Sequence, residues 1–386
     1  MSPRRNCFFG LFRICPLGKK KLGAHCIAWQ NEDSAITRFY GCYVNSLHQI
    51  ISMFSVSTAT MNQTESGMYF DLIRKAVSGT AGKNLVTVRM EQDGEDQRLL
   101  DDVRSFAVQD PAVREKFYRK VIENAGMEGN YLILMAHDSY DVPFRSASGE
   151  YDRDASSGVF RYFICALCPV LDAESKLSYV SEEHEFHSNS VGQTVGAPVA
   201  GFLYPSFADR STNLDKALYY MKNAADPHDE LVEGLFGAER PMVDAERREA
   251  FHDAMADATD GTCDFTAAQA LYQAMREKTE ELKTSQSPEM DMLRPSDLRY
   301  ILEEGGMDEG RAGALAAAYG EAVGKNAVLS PNAVMESGKF RMVSPEAKIT
   351  VEPELAALVK MRTIDGRRYI LIPVDGGVEL NGISVF

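Results

Sequence analysis

The chain has 386 residues, 45% hydrophobic and 25% charged, with seven cysteines and a formal net charge of −15. That length calls for two or three domains, and the composition is that of a globular protein with cores to bury. No apolar run approaches the roughly 18–20 residues of a membrane-spanning helix, and so acidic a body repels a phosphate backbone, so neither a membrane nor a nucleic acid is an expected partner.

Residues 1–30 stand apart. Arg4, Arg5, Arg13, Lys19, Lys20 and Lys21 all precede the first acid, Glu32; setting them aside leaves 35 basic against 56 acidic residues, or −21. Arg13 breaks the apolar stretch and no clean cleavage site follows, so a signal peptide is disfavoured. The expectation is a leader outside the fold, arising from a misplaced start. Cys42, Cys165, Cys168 and Cys263 are too few and too scattered for a disulfide framework, and a reducing cytoplasm suits them.

"ITRFYGCYVNSLHQIISMF" reads as a hairpin around a polar turn at Asn45–Gln49. "SGMYFDLIRKAVSG" places Tyr69, Leu72, Ile73 and Ala76 at helical spacing, with Gly79 as the stop. "KNLVTVRM" is a strand, and "RLLDDVRSFA" puts Leu99, Val103 and Phe106 on one helical face. Asp110-Pro111 supplies a cap and a first-turn proline for a helix carrying Val113, Phe117, Val121 and Ile122. "NYLILMA" and "VFRYFICALCPV" are the most apolar strand candidates. Helices follow from Pro227 to about Val323, with a polar linker near 283–296. The pair "SDLRYILEEGG" and "DEGRAGALAAAYGEAV" reads as ordinary packing, its second helix being too acidic to read DNA. Asp365-Gly366 and Asn381-Gly382 are the dipeptides of two-residue hairpin turns. The class is therefore α+β: a mixed sheet with flanking helices at 31–226, a helical region at 227–330, and a small C-terminal β module at 331–386.

Cys165-x-x-Cys168 followed by His184-x-x-His187 resembles the spelling of a zinc site. "YFICALCPV" reads as a strand, however, where residues three apart face opposite ways. Neither a metal nor any other cofactor is expected. "GTAGKN" departs from a phosphate loop in glycine spacing, in the residue after the lysine and in its preceding helix. In "MAHDSYDVPF", His137, Asp138 and Asp141 follow a buried strand, a usual place for groups presented to a cleft. Together with His187 they form the candidate catalytic set, a base with orienting acids; capping of a turn explains the aspartates equally. Asp209 and Arg210 form either a local ion pair or a substrate clamp.

"RFYGCYVNS", "GNYLILMAHDSYDVPF", "CALCPV" and "DGRRYILIPV" resemble the bacterial family catalogued as domain of unknown function 4317, from about Ile36 to the C-terminus. The resemblance implies a cytoplasmic bacterial protein without an established activity, so it assigns no catalytic residue. The leader departs from the charged helical start associated with that family. No nucleophile elbow, dinucleotide fingerprint or metal-protease helix occurs in the sequence. The expected role is therefore non-catalytic binding or regulation with a protein or small-molecule partner; the alternative is a hydrolase-like enzyme built on the His/Asp set.

Overall fold

A computed structural model describes residues 36–385 except 91–93, 146–150, 173–175, 181–184, 190–191, 209–210, 286–291, 375 and 381. It describes only the backbone at 106, 140–145, 151–158, 176–180, 186–189, 207–208 and 211. The expected leader lies outside these residues. The described chain divides into two compact units, one ending at Pro241 and one beginning at Met242.

In the first unit, strands β1 (Arg38–Val44) and β2 (Ile50–Ser57) form the hairpin expected around Asn45–Gln49. The Asn45 carboxamide accepts the Leu47 and Gln49 amides and so closes the turn. Helix α1 (Gln63–Lys75) starts where Asn62 accepts the Glu65 amide. Its buried residues are Phe70 and Ile73, with Ala76 and Val77 following; Tyr69 and Leu72 pack at the margin. Strand β3 (Leu85–Arg89) precedes α2 (Glu95–Arg104) and α3 (Pro111–Asn124), the latter capped by Asp110 as its sequence requires.

Strands β4 (Asn130–Arg145) and β5 (Tyr151–Asp172) form the central pair. Next come β6 (Lys176–Val180), β7 (Glu185–Asn189), β8 (Gln193–Val195), β9 (Ala200–Tyr204), β10 (Ser206–Ala208), β11 (Ser211–Asn213), β12 (Lys216–Met221) and helix α4 (Asp229–Phe236). The main sheet runs β2-β1-β4-β5-β9-β12-β3, with β8 also on β5. The α+β class holds. Every ladder of this sheet is antiparallel rather than mixed, because each strand enters from the end at which its neighbour leaves.

Both faces of the sheet are covered. On one, Leu132, Leu134 and Ala136 of β4 and Tyr162, Ile164, Ala166 and Cys168 of β5 pack under Phe70 and Ile73 of α1 and Ala76 just after it. On the other, Phe117 of α3 makes edge contacts with Phe163 and Phe202, and Phe202 meets Phe236 of α4. Each of these fully buried rings contributes about 1.5–3 kcal/mol by leaving water. Burial on both faces explains why β4 and β5 read as near-continuous apolar runs.

In the second unit, α5 (Asp244–Ala258), α6 (Phe265–Thr284), α7 (Pro295–Glu304) and α8 (Glu309–Val323) share a core of Phe251, Leu271, Met275, Leu302, Leu315 and Tyr319. The last two helices bury Leu298, Leu302, Ala312 and Leu315 in it, which is the packing role expected of them. Ala333 and Val334 enter the same core, and the Tyr319 hydroxyl donates to the Ala333 carbonyl at 3.0 Å. A hairpin of β13 (Phe340–Val343) and β14 (Lys348–Val351) rests on α6, where Phe340 meets Tyr272 edge-on at 4.9 Å. Gln269 of α6 donates to the carbonyls of Ala356 and Val359. Strands β15 (Lys360–Ile364) and β16 (Arg367–Leu371) turn at Asp365 and Gly366, with φ of 49° and 78°, the left-handed pair that Asp-Gly favours. Strands β17 (Glu379–Leu380) and β18 (Ile383–Ser384) form the last hairpin, with Gly382 at φ 84°.

Candidate functional site

Cys165 and Cys168 both lie in β5, both fully buried, on opposite faces of the sheet. Burial pushes the Cys168 thiol up to about 12 and holds the Cys165 thiol well above its ordinary value, so neither is a nucleophile near neutral pH. His184 lies outside the described residues, and His187 sits in β7 opposite Ser178 with its side chain undescribed. Among the described residues no three His, Cys, Asp or Glu side chains are placed to hold a metal ion.

His137 and Asp138 sit where the sheet narrows. The ladder from β1 to β4 ends at the Phe39–Ala136 pair, and that from β5 to β9 ends at Phe163–Tyr204. Beyond them β4 does not stop; it continues paired only to β5, as far as Arg145. Because the two residues are adjacent in a strand, their side chains take opposite faces. His137 aligns with Phe163 and Tyr204 under α2, and Asp138 aligns with Tyr162 on the α1 face.

On the α2 face, His137 Nε2 lies 2.6 Å from the carbonyl oxygen of Arg104, the last residue of α2. A carbonyl only accepts, so Nε2 carries the proton. Burial lowers the pKa of this imidazole and the nearby Arg161 charge lowers it further, against the raising effect of the carbonyl. Beside it, Tyr204 Oη lies 3.2 Å from both Asp101 Oδ1 and the Leu214 carbonyl, and Asp101 also receives Arg104 Nε at 2.7 Å.

On the other face, Asp138 is 3% exposed. Its Oδ1 accepts the Ser139 amide at 2.7 Å and its Oδ2 accepts the Tyr162 hydroxyl at 3.0 Å. Burial raises this carboxyl to about 6 despite both hydrogen bonds. Tyr162 stacks on Phe160 at 5.0 Å, and burial, then the Asp138 charge, raise its hydroxyl. The structure therefore separates His137 from Asp138 by the thickness of a sheet and gives each its own partners. Asp141 lies opposite Val159, with its side chain outside the described residues, as are Asp209 and Arg210 altogether. Tyr162, Tyr204 and Asp101 were not marked by the sequence. Only the register of β5 and β9 against β4 could have found them.

The family described as a domain of unknown function, DUF4317, matches residues 24–383, nearly the whole chain. The chain belongs to this family. Nothing among curated proteins or solved structures matches it. The match takes in both units and reaches further towards the N-terminus than the phrases that suggested it. Among the described residues no helix of this family member is long and apolar enough to cross a membrane.

Proposed function

We propose that the protein is a non-catalytic binding or regulatory protein of the bacterial cytoplasm. One observation carries this reading: His137 and Asp138 occupy opposite faces of one sheet, each held to an interior partner. A base and its orienting acid must meet on one side of a substrate, and this pair does not. The test is hydrolysis of generic ester, phosphate-ester and peptide probes by the full chain, alongside His137→Ala and Asp138→Asn. All three proteins should stay at background. Hydrolysis by the wild type that vanishes in Asp138→Asn, with melting unchanged, would replace this reading by the hydrolase-like one. The raised carboxyl of Asp138 is the observation that keeps the second reading alive, since a general acid working near neutrality needs such a shift.

A further inference from the structure

We propose that the β15–β16 ribbon is a docking surface for an extended, acidic segment of a partner protein carrying apolar side chains at alternate positions. The proposal rests on the binding reading above and names the chemistry of the partner.

The register supplies the first argument. On one face of the ribbon the cross-strand rungs are Lys360 with Leu371, Arg362 with Tyr369, and Ile364 with Arg367. Every rung pairs one cation with one apolar side chain. The opposite face carries Met361, Ile370, Thr363 and Arg368, and through Ile370 it packs against the cluster around Tyr272 and Phe340. The cation–apolar face is thus the one turned away from that packing. Ile364 is 44%, Tyr369 43% and Leu371 37% exposed.

Charge supplies the second. The ribbon holds Lys360, Arg362, Arg367 and Arg368 against the single acid Asp365, in a chain of net charge −15. Among the described residues none of these four cations has an ion-pair or hydrogen-bond partner. Elsewhere in the second unit Arg276 pairs with Glu354, and Arg299 with Glu303 and Glu309. A local cationic patch on an acidic molecule attracts acidic ligands and sets their orientation.

The third argument is the edge. The ribbon is a sheet of two strands, and neither outer edge pairs with another described strand. A free edge offers backbone donors and acceptors to an added strand, whose side chains then alternate with the same period as the rungs. Because successive side chains of a strand alternate, an extended acidic segment paired to the β15 edge would set its carboxylates beside Lys360 and Arg362 on one face and its apolar side chains beside Met361 on the other. A polynucleotide fits less well: Tyr369 is the single ring on this face, whereas single-strand binding uses successive rings on which bases stack.

The test uses the full chain and fluorescence anisotropy. The probes are a labelled 12-residue peptide alternating Glu with Val, its counterpart with Lys for Glu, and a single-stranded oligonucleotide of equal charge. The acidic peptide should bind about 10-fold or more tighter than either control, and salt should weaken it steeply, as screening requires. Arg362→Glu with Arg367→Glu should lose about 10-fold or more at an unchanged melting temperature. Should that pair unfold the ribbon, Arg362→Gln with Arg367→Gln gives the same reading with smaller loss, and Met361→Ser, at a position 40% exposed, should weaken binding at an unaltered salt slope. No binding of the acidic peptide, equal binding of the basic one, tighter binding of the oligonucleotide, or a dimer that the double variant dissolves would each overturn the proposal. The hydrolysis assay tests the binding reading without involving the ribbon, so the two failures are distinguishable.

Discussion

Asp138 ties the stability of the first unit to pH. Its folded carboxyl, at about 6, lies above the ordinary 3.8, so the folded state binds the proton more tightly than the unfolded chain does. Its contribution is complete at low pH and is lost as pH rises from about 4 to about 6. At about 1.36 kcal/mol per unit, the loss amounts to about 2–3 kcal/mol. His137 works the other way. Its lowered pKa makes the folded state resist protonation, so its contribution is lost as pH falls below its ordinary 6.5. Urea unfolding of wild type and Asp138→Asn at pH 4 and pH 7 isolates the carboxyl. The wild type should lose about 2–3 kcal/mol relative to the variant across that interval. A constant difference would contradict the burial of Asp138. Gly201 of β9 is a second sensitive position: an added Cβ would lie 2.7 Å from both the Cβ of Ala76, at the end of α1, and the Cys165 carbonyl oxygen. Gly201→Ala should therefore cost about 1–3 kcal/mol in chemical denaturation, with α1 pushed from the sheet.

At the scale of elements, β5 fixes what its cysteines do. With one thiol on each face, Cys165→Ala and Cys168→Ala should each cost about 1–2 kcal/mol, and the double variant should show nearly their sum. Loss of a bound zinc from Cys168→Ala would refute the two-face placement. Much of this level was legible in sequence. The hairpins at Asn45–Gln49 and Asp365-Gly366 were written in turn chemistry, and α3 in its Asp110-Pro111 start, because these signals are local. The continuation of β4 beyond Ala136 was not legible. "HDSYDVPF" has the composition of a strand end, and pairing with β5 overrides it. The candidate site suffered most, since the side of the sheet that His137 faces depends on strand phase, and its neighbours depend on strands 26 and 67 positions away. Burial also orders the elements by protection: amide exchange should be slowest in Ile133–Ala136 and Ile164–Leu167 and fastest in β15 and β16.

At the scale of the whole molecule, the two units have separate apolar cores, one around α1 and the central sheet and one around α5 to α8. A fragment of residues 36–241 should therefore melt cooperatively by itself, as should 242–386. A fragment that shows only a broad, non-cooperative transition would make its core dependent on the other unit. The strand order carries one more consequence, measured in time. β3 closes one edge of the sheet by pairing Leu85–Arg89 with Lys216–Tyr220 of β12. On a ribosome adding about 5–20 residues per second, β3 emerges roughly 6–25 seconds before its partner exists. β1 and β2 meet no such delay, since their hairpin is complete within twenty residues. The nascent chain thus carries an orphan strand through much of its synthesis, and an arrested chain ending before Lys216 should be the species that recruits a holdase chaperone.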